Sequence, residues 1–391
     1  MSNEHALPVA LVTYSTRPRG GVAHTLALGE ALHAMGHPVL IVGLGDPAAG
    51  FFRPVAAPVH VIEAPVTNGD LETKVYANIN ALEKGLAQIG HDFPILHTQD
   101  CISARAAARV RDSGAPVNVV RTVHHVDDFT SPVLMNCQRQ AILEPDLILV
   151  VSEVWRRILA DDYDVTAHVV ANGVDIDRYT SPPAGMAASL RERVGATERP
   201  LLLSVGGIEP RKGSDTLIEA MAVLKQRMEP SPVLAVIGGH SFQDHRAYRQ
   251  RVIDSLGPLG LNLGKDVVEV GSVPEAEIPG WYATADALAF PSVKEGFGLA
   301  ALEAMSAGLP VVTSDLPVFR EWLVADRDAL LVPIGEPKTL ADGLERALTD
   351  DELRTRLETA GRAVAQRFTW TASARTHLDL YQTLSVAPSM S

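Results

Sequence analysis

The segment Pro291-Ser292-Val293-Lys294-Glu295-Gly296-Phe297-Gly298-Leu299 is the densest cluster of polar and glycine positions in the chain. It follows a run that reads as a buried strand and it opens a helix, a setting that suits anions. Consecutive free N–H groups at a helix start, glycines that let a ligand approach the backbone, and the positive end of the dipole all favour phosphate. The dipole contributes at most about 2 kcal/mol. Seven residues separate Glu295 from Glu303, which puts the first in the loop and the second two turns into the helix. That spacing excludes a close carboxylate pair. It suits two acceptors for hydroxyl groups on opposite sides of a bound phosphate, one toward each end of a sugar nucleotide. The alternative is structural, with Glu295 solvated in the loop and Glu303 on the helix surface.

A second cluster, Ser204-Val205-Gly206-Gly207-Ile208-Glu209-Pro210-Arg211-Lys212-Gly213, lies at the carboxyl end of another strand and before a helix. In a doubly wound sheet that edge is where ligands bind. The adjacent cations Arg211 and Lys212 can neutralise charge on a departing diphosphate, and charge-assisted hydrogen bonds contribute roughly 1.5–3 kcal/mol each. Solvated side chains beside a turn are the structural alternative. The loop Arg17-Pro18-Arg19-Gly20-Gly21 offers flexible backbone after the first strand, although a glycine pair also serves a tight turn. Gly43-Leu44-Gly45 lacks the third glycine and the following helix of a dinucleotide fingerprint. His97, His124 and His125 fall near strand ends, where side chains would face a cleft between domains; a core or surface histidine is the alternative. No His/Cys spacing supports a metal site and Asp127-Asp128 reads as loop, so no obligatory metal is expected.

These clusters need a scaffold that brings strand ends together. Val9–Thr13 reads as a strand, followed by a loop over 14–21, a helix with apolar Val22, Leu26, Ala31 and Met35 ended by Gly36, and a buried strand over 39–44. The alternation recurs at 95–96 with a helix from Ser103, at 117–122 and at 147–151. A connection over 177–199, containing Ser181-Pro182-Pro183, Gly185 and Gly195, carries one short helix. The pattern then restarts with strand Leu201–Val205, a helix from Ser214, strand Val233–Ile237, a helix around 245–256 and a strand at 267–270. It continues with a short helix at 278–283, strand Ala287–Phe290, helix Leu299–Ala307 and a strand at 310–313, and the tail over 340–384 is helical in pattern. The expected architecture is α/β: a Rossmann-like domain over 1–178, a linker over 179–198, a second Rossmann-like domain over 199–370 and a terminal helix within 371–391.

Bulk properties agree with that organisation. A length of 391 residues exceeds the roughly 250–300 at which single cores stop growing. Hydrophobic residues at 46% and charged residues at 21% are ordinary for a globular chain. The formal net charge of −13 argues against nucleic acid as a partner. It leaves room for a local basic pocket, and a diphosphate needs only two or three donors. Cys101 and Cys137 are too few for a disulfide framework and are read as reduced. With no leader-like start and no apolar run near 18 residues, a cytoplasmic location without an integral membrane segment is expected, peripheral association staying open.

Taken together, these residues resemble glycosyltransferase family four, the retaining transferases of the GT-B fold, over nearly the whole chain. Glu295 through Glu303, with Gly-Phe-Gly-Leu between the acids, is similar to the family's E-x7-E signature. Ala171-Asn172-Gly173-Val174-Asp175, Arg211-Lys212-Gly213 and Leu309-Pro310-Val311-Val312 reinforce the likeness. The resemblance implies two Rossmann-like domains whose parallel sheets face an inter-domain cleft, with a nucleotide-diphosphate sugar as donor substrate and no required cofactor. It implies that Lys212 and the backbone of Gly296, Phe297, Gly298 and Leu299 hold the diphosphate, and that Glu303 takes ribose hydroxyls. Glu295 would face the transferred sugar, and the backbone of Gly271, Ser272 and Val273 would read the nucleobase. His124, with His125 next to it, is expected beside the donor sugar, and Gly20 and Gly21 near the phosphates and acceptor. The terminal helices, including Phe368-Thr369-Trp370, resemble the segment that crosses back onto the first domain. One position departs: many members carry Arg directly after the Val-Gly of the Lys-containing loop, and here Gly207 stands there, leaving Arg211 as the replacement cation.

The implied reaction moves a hexose, with retention, from a UDP- or GDP-sugar to a small-molecule, glycan or lipid acceptor, with His124, Glu295, Lys212 and Arg211 as its catalytic set. Three rivals make different demands. A sugar-nucleotide epimerase of the same fold would consume donor without an acceptor, and a non-catalytic sensor would bind without turnover. A nicotinamide oxidoreductase would need the complete fingerprint that the chain lacks.

Overall fold

The computed structural model describes residues 7–180, 183, 185–239 and 245–384. They form two compact units, the first made of the residues up to Gly173 together with those from Trp370 onward, the second of Val174–Thr369. In the first unit the order is β1 (Val9–Thr13), α1 (Gly20–Ala34), β2 (Val39–Gly45), β3 (Val59–Glu63), α2 (Leu71–Ile89), β4 (Ile95–Thr98) and α3 (Cys101–Asp112). It continues with β5 (Asn118–Val123), α4 (Pro132–Leu143), β6 (Leu147–Val150), α5 (Glu153–Tyr163) and β7 (His168–Val169). Among the described residues these strands make one parallel sheet in the order β3-β2-β1-β4-β5-β6-β7. Every residue of β1 and β4 is buried, as continuous apolar runs covered on both faces must be.

The second unit begins with α6 (Ile176–Thr180) and α7 (Met186–Arg193) and continues with β8 (Leu201–Val205), α8 (Ser214–Arg227), β9 (Val233–Ile237), α9 (Arg246–Ser255) and β10 (Val267–Gly271). Then come α10 (Ile278–Thr284), β11 (Ala287–Phe290), α11 (Leu299–Ala307), β12 (Val311–Ser314), α12 (Pro317–Arg320), β13 (Leu330–Val332), α13 (Pro337–Thr349) and α14 (Asp351–Ala365). Its parallel sheet runs β10-β9-β8-β11-β12-β13. Counted from each unit's first strand, both orders begin 3-2-1-4-5-6, the doubly wound arrangement of nucleotide-binding domains. The last helix, α15 (Trp370–Tyr381), returns to the first unit, where Ala374 and Tyr381 join the core of Leu11, Leu26, Leu28 and Ile41.

The structure differs from the sequence reading at several places. The units divide at Gly173 rather than at 178, and the stretch over 179–198 read as a linker is packed into the second unit. Leu190 of α7 is 4% exposed, and Arg191 reaches the Thr284 carbonyl at 2.6 Å and Asp286 at 3.0 Å. Ser181 and Pro182 of that stretch lie outside the described residues. Gly20 and Gly21, read as loop, open α1 instead, and neither has a positive φ that a tight turn would demand. The buried face of α1 is Val22, Leu26, Leu28 and Leu32, whereas Ala31 is half-buried and Met35 exposed. β3, α2, α4, α5, β7, α12 and β13 had no counterpart in the sequence reading, and the stretch read with one short helix holds two, α6 and α7.

Candidate active site

In both units the strand order reverses between two central strands, β1 and β4 or β8 and β11, and the loops leaving their carboxyl ends carry the candidate residues. In the second unit the loop after β8 meets the loop after β11. The Val293 amide donates to the Arg211 carbonyl at 2.8 Å. Gly213 has φ +63° and passes so close to Pro291 that a Cβ would stand 2.1 Å from its carbonyl oxygen. Glycine after Lys212 is thus a condition for the two loops to touch.

That contact aims three donors at one oxygen. Lys212 Nζ at 2.8 Å, Arg211 Nη1 at 3.0 Å and Ser292 Oγ at 2.9 Å all reach Oε1 of Glu295. The Glu295 and Lys212 side chains are 9% and 11% exposed, and the ammonium also sits 4.3 Å above the Phe290 ring centroid. Burial opposes the charge on Glu295, but Lys212 and Arg211 outweigh it and hold the carboxyl down at about 2. Burial likewise pulls the Lys212 ammonium below its ordinary value, with Glu295 working against the shift. The carboxylate is ionised at any neutral pH, and with it the two cations form a charged cluster in a place largely closed to water.

Next to this cluster α8 and α11 both start at a left-handed glycine, Gly213 and Gly298, with no side-chain cap. Helices α3, α5 and α14 are capped by Asp100, Ser152 and Asp350, while α1 and α13 share the uncapped start without a left-handed glycine. A helix start without a capping side chain is suited to an anion from outside. Phe297 offers only its backbone, because its ring stacks on Trp322 at 5.3 Å and meets Phe368 edge-on. Glu303 is no surface residue: its Oε2 accepts from the Tyr282 hydroxyl at 2.7 Å, Tyr179 bonds it too, and burial raises its carboxyl above the usual range. Gly271 ends β10, its carbonyl accepts from the Gly238 amide at 2.9 Å, and Ser272 Oγ crowds Gly239, so 271–273 shares the sheet edge with the charged cluster. Gly207 has φ +76° and a Cβ there would lie 2.8 Å from the Gly239 carbonyl oxygen. No side chain fits where the resembled family often has Arg, and Arg211 is the cation present.

In the first unit His124 follows β5 and stands beside the start of α1: a Cβ on Gly21 would be 3.8 Å from His124 Cδ2, while one on Gly20 would meet nothing within 4 Å. The His124 ring lies edge-on to His24 at 4.7 Å, and its Nε2 is 3.0 Å from Gln99 Oε1. Burial pushes its pKa down to about 3, so the ring is neutral. His125 turns to Asp127 at 3.4 Å. His97, read as facing a cleft, is instead fully buried in β4 between Tyr381 and Thr122. The sequence reading named Ser292 within its first cluster without giving it a role, and passed over Gln99, Tyr179, Tyr282 and His24. Ser292 and Gln99 sit at carboxyl ends of central strands, a signal that was available; the tyrosines carry no local signal, since only the fold brings them to Glu303.

Comparison with known proteins follows the same outline. The family described as "Glycosyl transferases group 1" matches residues 188–364, and "Glycosyltransferase Family 4" matches 18–178. The D-inositol 3-phosphate glycosyltransferase of Jonesia denitrificans is 32% identical over 309 residues, covering 76% of this chain and 68% of the relative. The protein of that name from Frankia alni is 32% identical, with 76% of each chain covered. Among solved structures, HepE of Anabaena in complex with UDP and glucose superposes with a TM-score of 0.81 at 20% identity, covering 97% of this chain and all of that one. Sucrose-phosphate synthase of Thermosynechococcus elongatus gives 0.78 at 23% identity, covering 96% and 98%. At such identities these neighbours speak for the fold. Among the described residues no helix is long and apolar enough to cross a membrane.

Proposed function

The chain is a glycosyltransferase of family four with the GT-B fold, and on that premise we propose that it is a retaining hexosyltransferase using a nucleotide-diphosphate sugar and giving an alpha-linked glycoside. The observation that carries this reading is the convergence of Lys212, Arg211 and Ser292 on Glu295 beside the uncapped start of α11. Lys212 and Arg211 bind and neutralise the diphosphate as it leaves, together with the backbone of Gly296, Phe297, Gly298 and Leu299. Glu303, oriented by Tyr282 and Tyr179, accepts from the ribose, and the backbone of Gly271, Ser272 and Val273 meets the base. Glu295 and His124 contact the transferred sugar, while Gly20 and Gly21 serve the phosphate and acceptor side. The diphosphate leaves from the face on which the acceptor attacks, and its own oxygen takes the acceptor proton, so the protein supplies positioning and electrostatics.

Lys212, nearly closed to water, and the half-buried Arg211 supply the positive charge that a divalent ion would otherwise bring to a diphosphate, which favours a metal-independent reaction.

The test is thermal stabilisation of the purified protein by UDP, GDP, ADP and their common sugar conjugates, with and without magnesium. A ligand at 100 times its Kd adds roughly 2.7 kcal/mol. One nucleotide diphosphate is expected to give a selective shift, lost in Lys212→Ala and unaffected by magnesium. Absence of any shift overturns the reading. With the donor known, D-inositol 3-phosphate is the first acceptor to assay because relatives are named for it, and the anomeric coupling of the product by NMR tests retention.

A further inference from the structure

The first unit carries a run of hydrogen bonds, buried except at its His124 end, that the roles above do not use. His124 Nε2 meets Gln99 Oε1 at 3.0 Å, the Gln99 amide nitrogen meets His97 Nε2 at 3.3 Å, and His97 Nδ1 meets the Tyr381 hydroxyl at 2.6 Å. Thr122 Oγ1 lies 2.8 Å from the same His97 nitrogen. Gln99 is 4% exposed, Tyr381 2% and His97 0%, so the run is enclosed by the sheet and α15 up to its half-buried end at His124. An amide has one end that only accepts and one that only donates, and a neutral imidazole has one N–H and one lone pair. Burial keeps both rings neutral: His124 is pushed down to about 3 and His97 well below the ordinary histidine value. With the Gln99 amide oriented so that Oε1 faces His124 and Nε2 faces His97, Oε1 cannot donate, and the single proton of His124 sits on Nε2. Nδ1 is then a bare lone pair, and it has no hydrogen-bond partner among the described residues.

We infer that Gln99 is a positioning residue of the transfer reaction, holding His124 as the Nε2–H tautomer so that Nδ1 is offered as an acceptor to a hydroxyl of the donor sugar. This rests on the reading that places His124 beside that sugar. The tautomer decides the sign of the contact. With the proton on Nδ1 the ring would instead present an N–H to the sugar, and a hydroxyl donating to it would meet hydrogen against hydrogen. The anchoring is long-range, since His97 ties Gln99 to Tyr381 on α15 and the His24 ring, bonded to Asn172 Oδ1 at 2.9 Å, fixes the plane of His124 from the other side.

The decisive measurement is the ring-nitrogen NMR spectrum of the 15N-histidine-labelled full chain, with the His124 signals assigned by their loss in His124→Phe. A protonated Nε2 and an unprotonated Nδ1 are expected. A proton on Nδ1 overturns the proposal. Gln99→Leu should give a mixture of tautomers and Gln99→Glu, which keeps an acceptor at the same place, should restore Nε2–H. Calorimetry with UDP-glucose and UDP adds a functional readout: Gln99→Leu should weaken UDP-glucose about fivefold, the loss of one hydrogen bond, and leave UDP within about twofold. Equal affinities for UDP-glucose in Gln99→Leu and the unchanged protein also overturn it. His124→Phe separates the two ideas. If it leaves the UDP-glucose to UDP ratio unchanged, the placement of His124 by the sugar fails; if it lowers the ratio while Gln99→Leu does not, only the role of Gln99 fails.

Discussion

Lys212 sits in a place where a single charge counts for more than it would on a surface. Its ammonium is held by Glu295 at 2.8 Å, lies over Phe290 and is nearly closed to water, and interactions in such a setting are screened far less than in bulk. Replacing it with Ala is expected to lower turnover about 10²–10³-fold, the scale seen for losing one preorganised donor; steady-state rates at saturating donor check this, and a loss under about threefold would remove Lys212 from the site. Gly213 makes a different prediction, one of stability. Gly213→Ala would force a Cβ toward the Pro291 carbonyl at a left-handed φ, so a cost on the order of 1–3 kcal/mol is expected, visible in the urea midpoint. An unchanged midpoint would mean the loops do not touch as described. The Lys-Gly pair stood out in the sequence as a candidate ligand cluster. The reason for its glycine did not, because Pro291 comes from another strand-loop junction and only sheet order brings the two together.

At the scale of elements, α15 is held to α1 and β4 by a layer of histidines. His24, His97, His124 and His377 lie together with Trp370 and Tyr381 in ring contact, and Nε2 of His24 and of His377 are buried without a hydrogen-bond partner among the described residues. Burial depresses all four, His377 to about 4 and His124 to about 3. The sign follows: the folded state refuses protons that the unfolded chain accepts below about pH 6.5. Stability from this layer is therefore complete above that pH and is lost as pH falls toward 4 and below, by about 1.4 kcal/mol per pH unit for each histidine. Unfolding measured at a series of pH values should show that slope, and His377→Leu should flatten it by one proton's share; an equal slope in both proteins would refute the layer's role. The helices here were unevenly legible. Central strands such as β1, β8 and β11 announced themselves as short apolar runs. The strand β3 did not, because it is an edge strand with mostly exposed residues. The helix α2 should have been found, since Val75, Ile79, Leu82 and Leu86 repeat at helical spacing behind an Asp70 cap.

At the scale of the whole molecule, each unit has its own sheet and its own core, yet only the second is continuous in sequence. Val174–Thr369 produced alone is expected to unfold in one cooperative transition, whereas a chain stopped after Thr369 should leave the first unit unable to close, because Ala374 and Tyr381 are missing from its core. Calorimetry of the two truncated proteins checks both outcomes, and a fully native first unit without α15 would count against this account. Composition misled at this scale: Pro and Gly around 181–185 suggested a free connection, but Leu190 and Arg191 just beyond are bound into the second unit. The discontinuity has a further consequence during synthesis. The first unit is begun before the second and finished after it, so synthesis that stops short of α15 leaves a chain whose second unit is complete and whose opening unit is still waiting for its last helix.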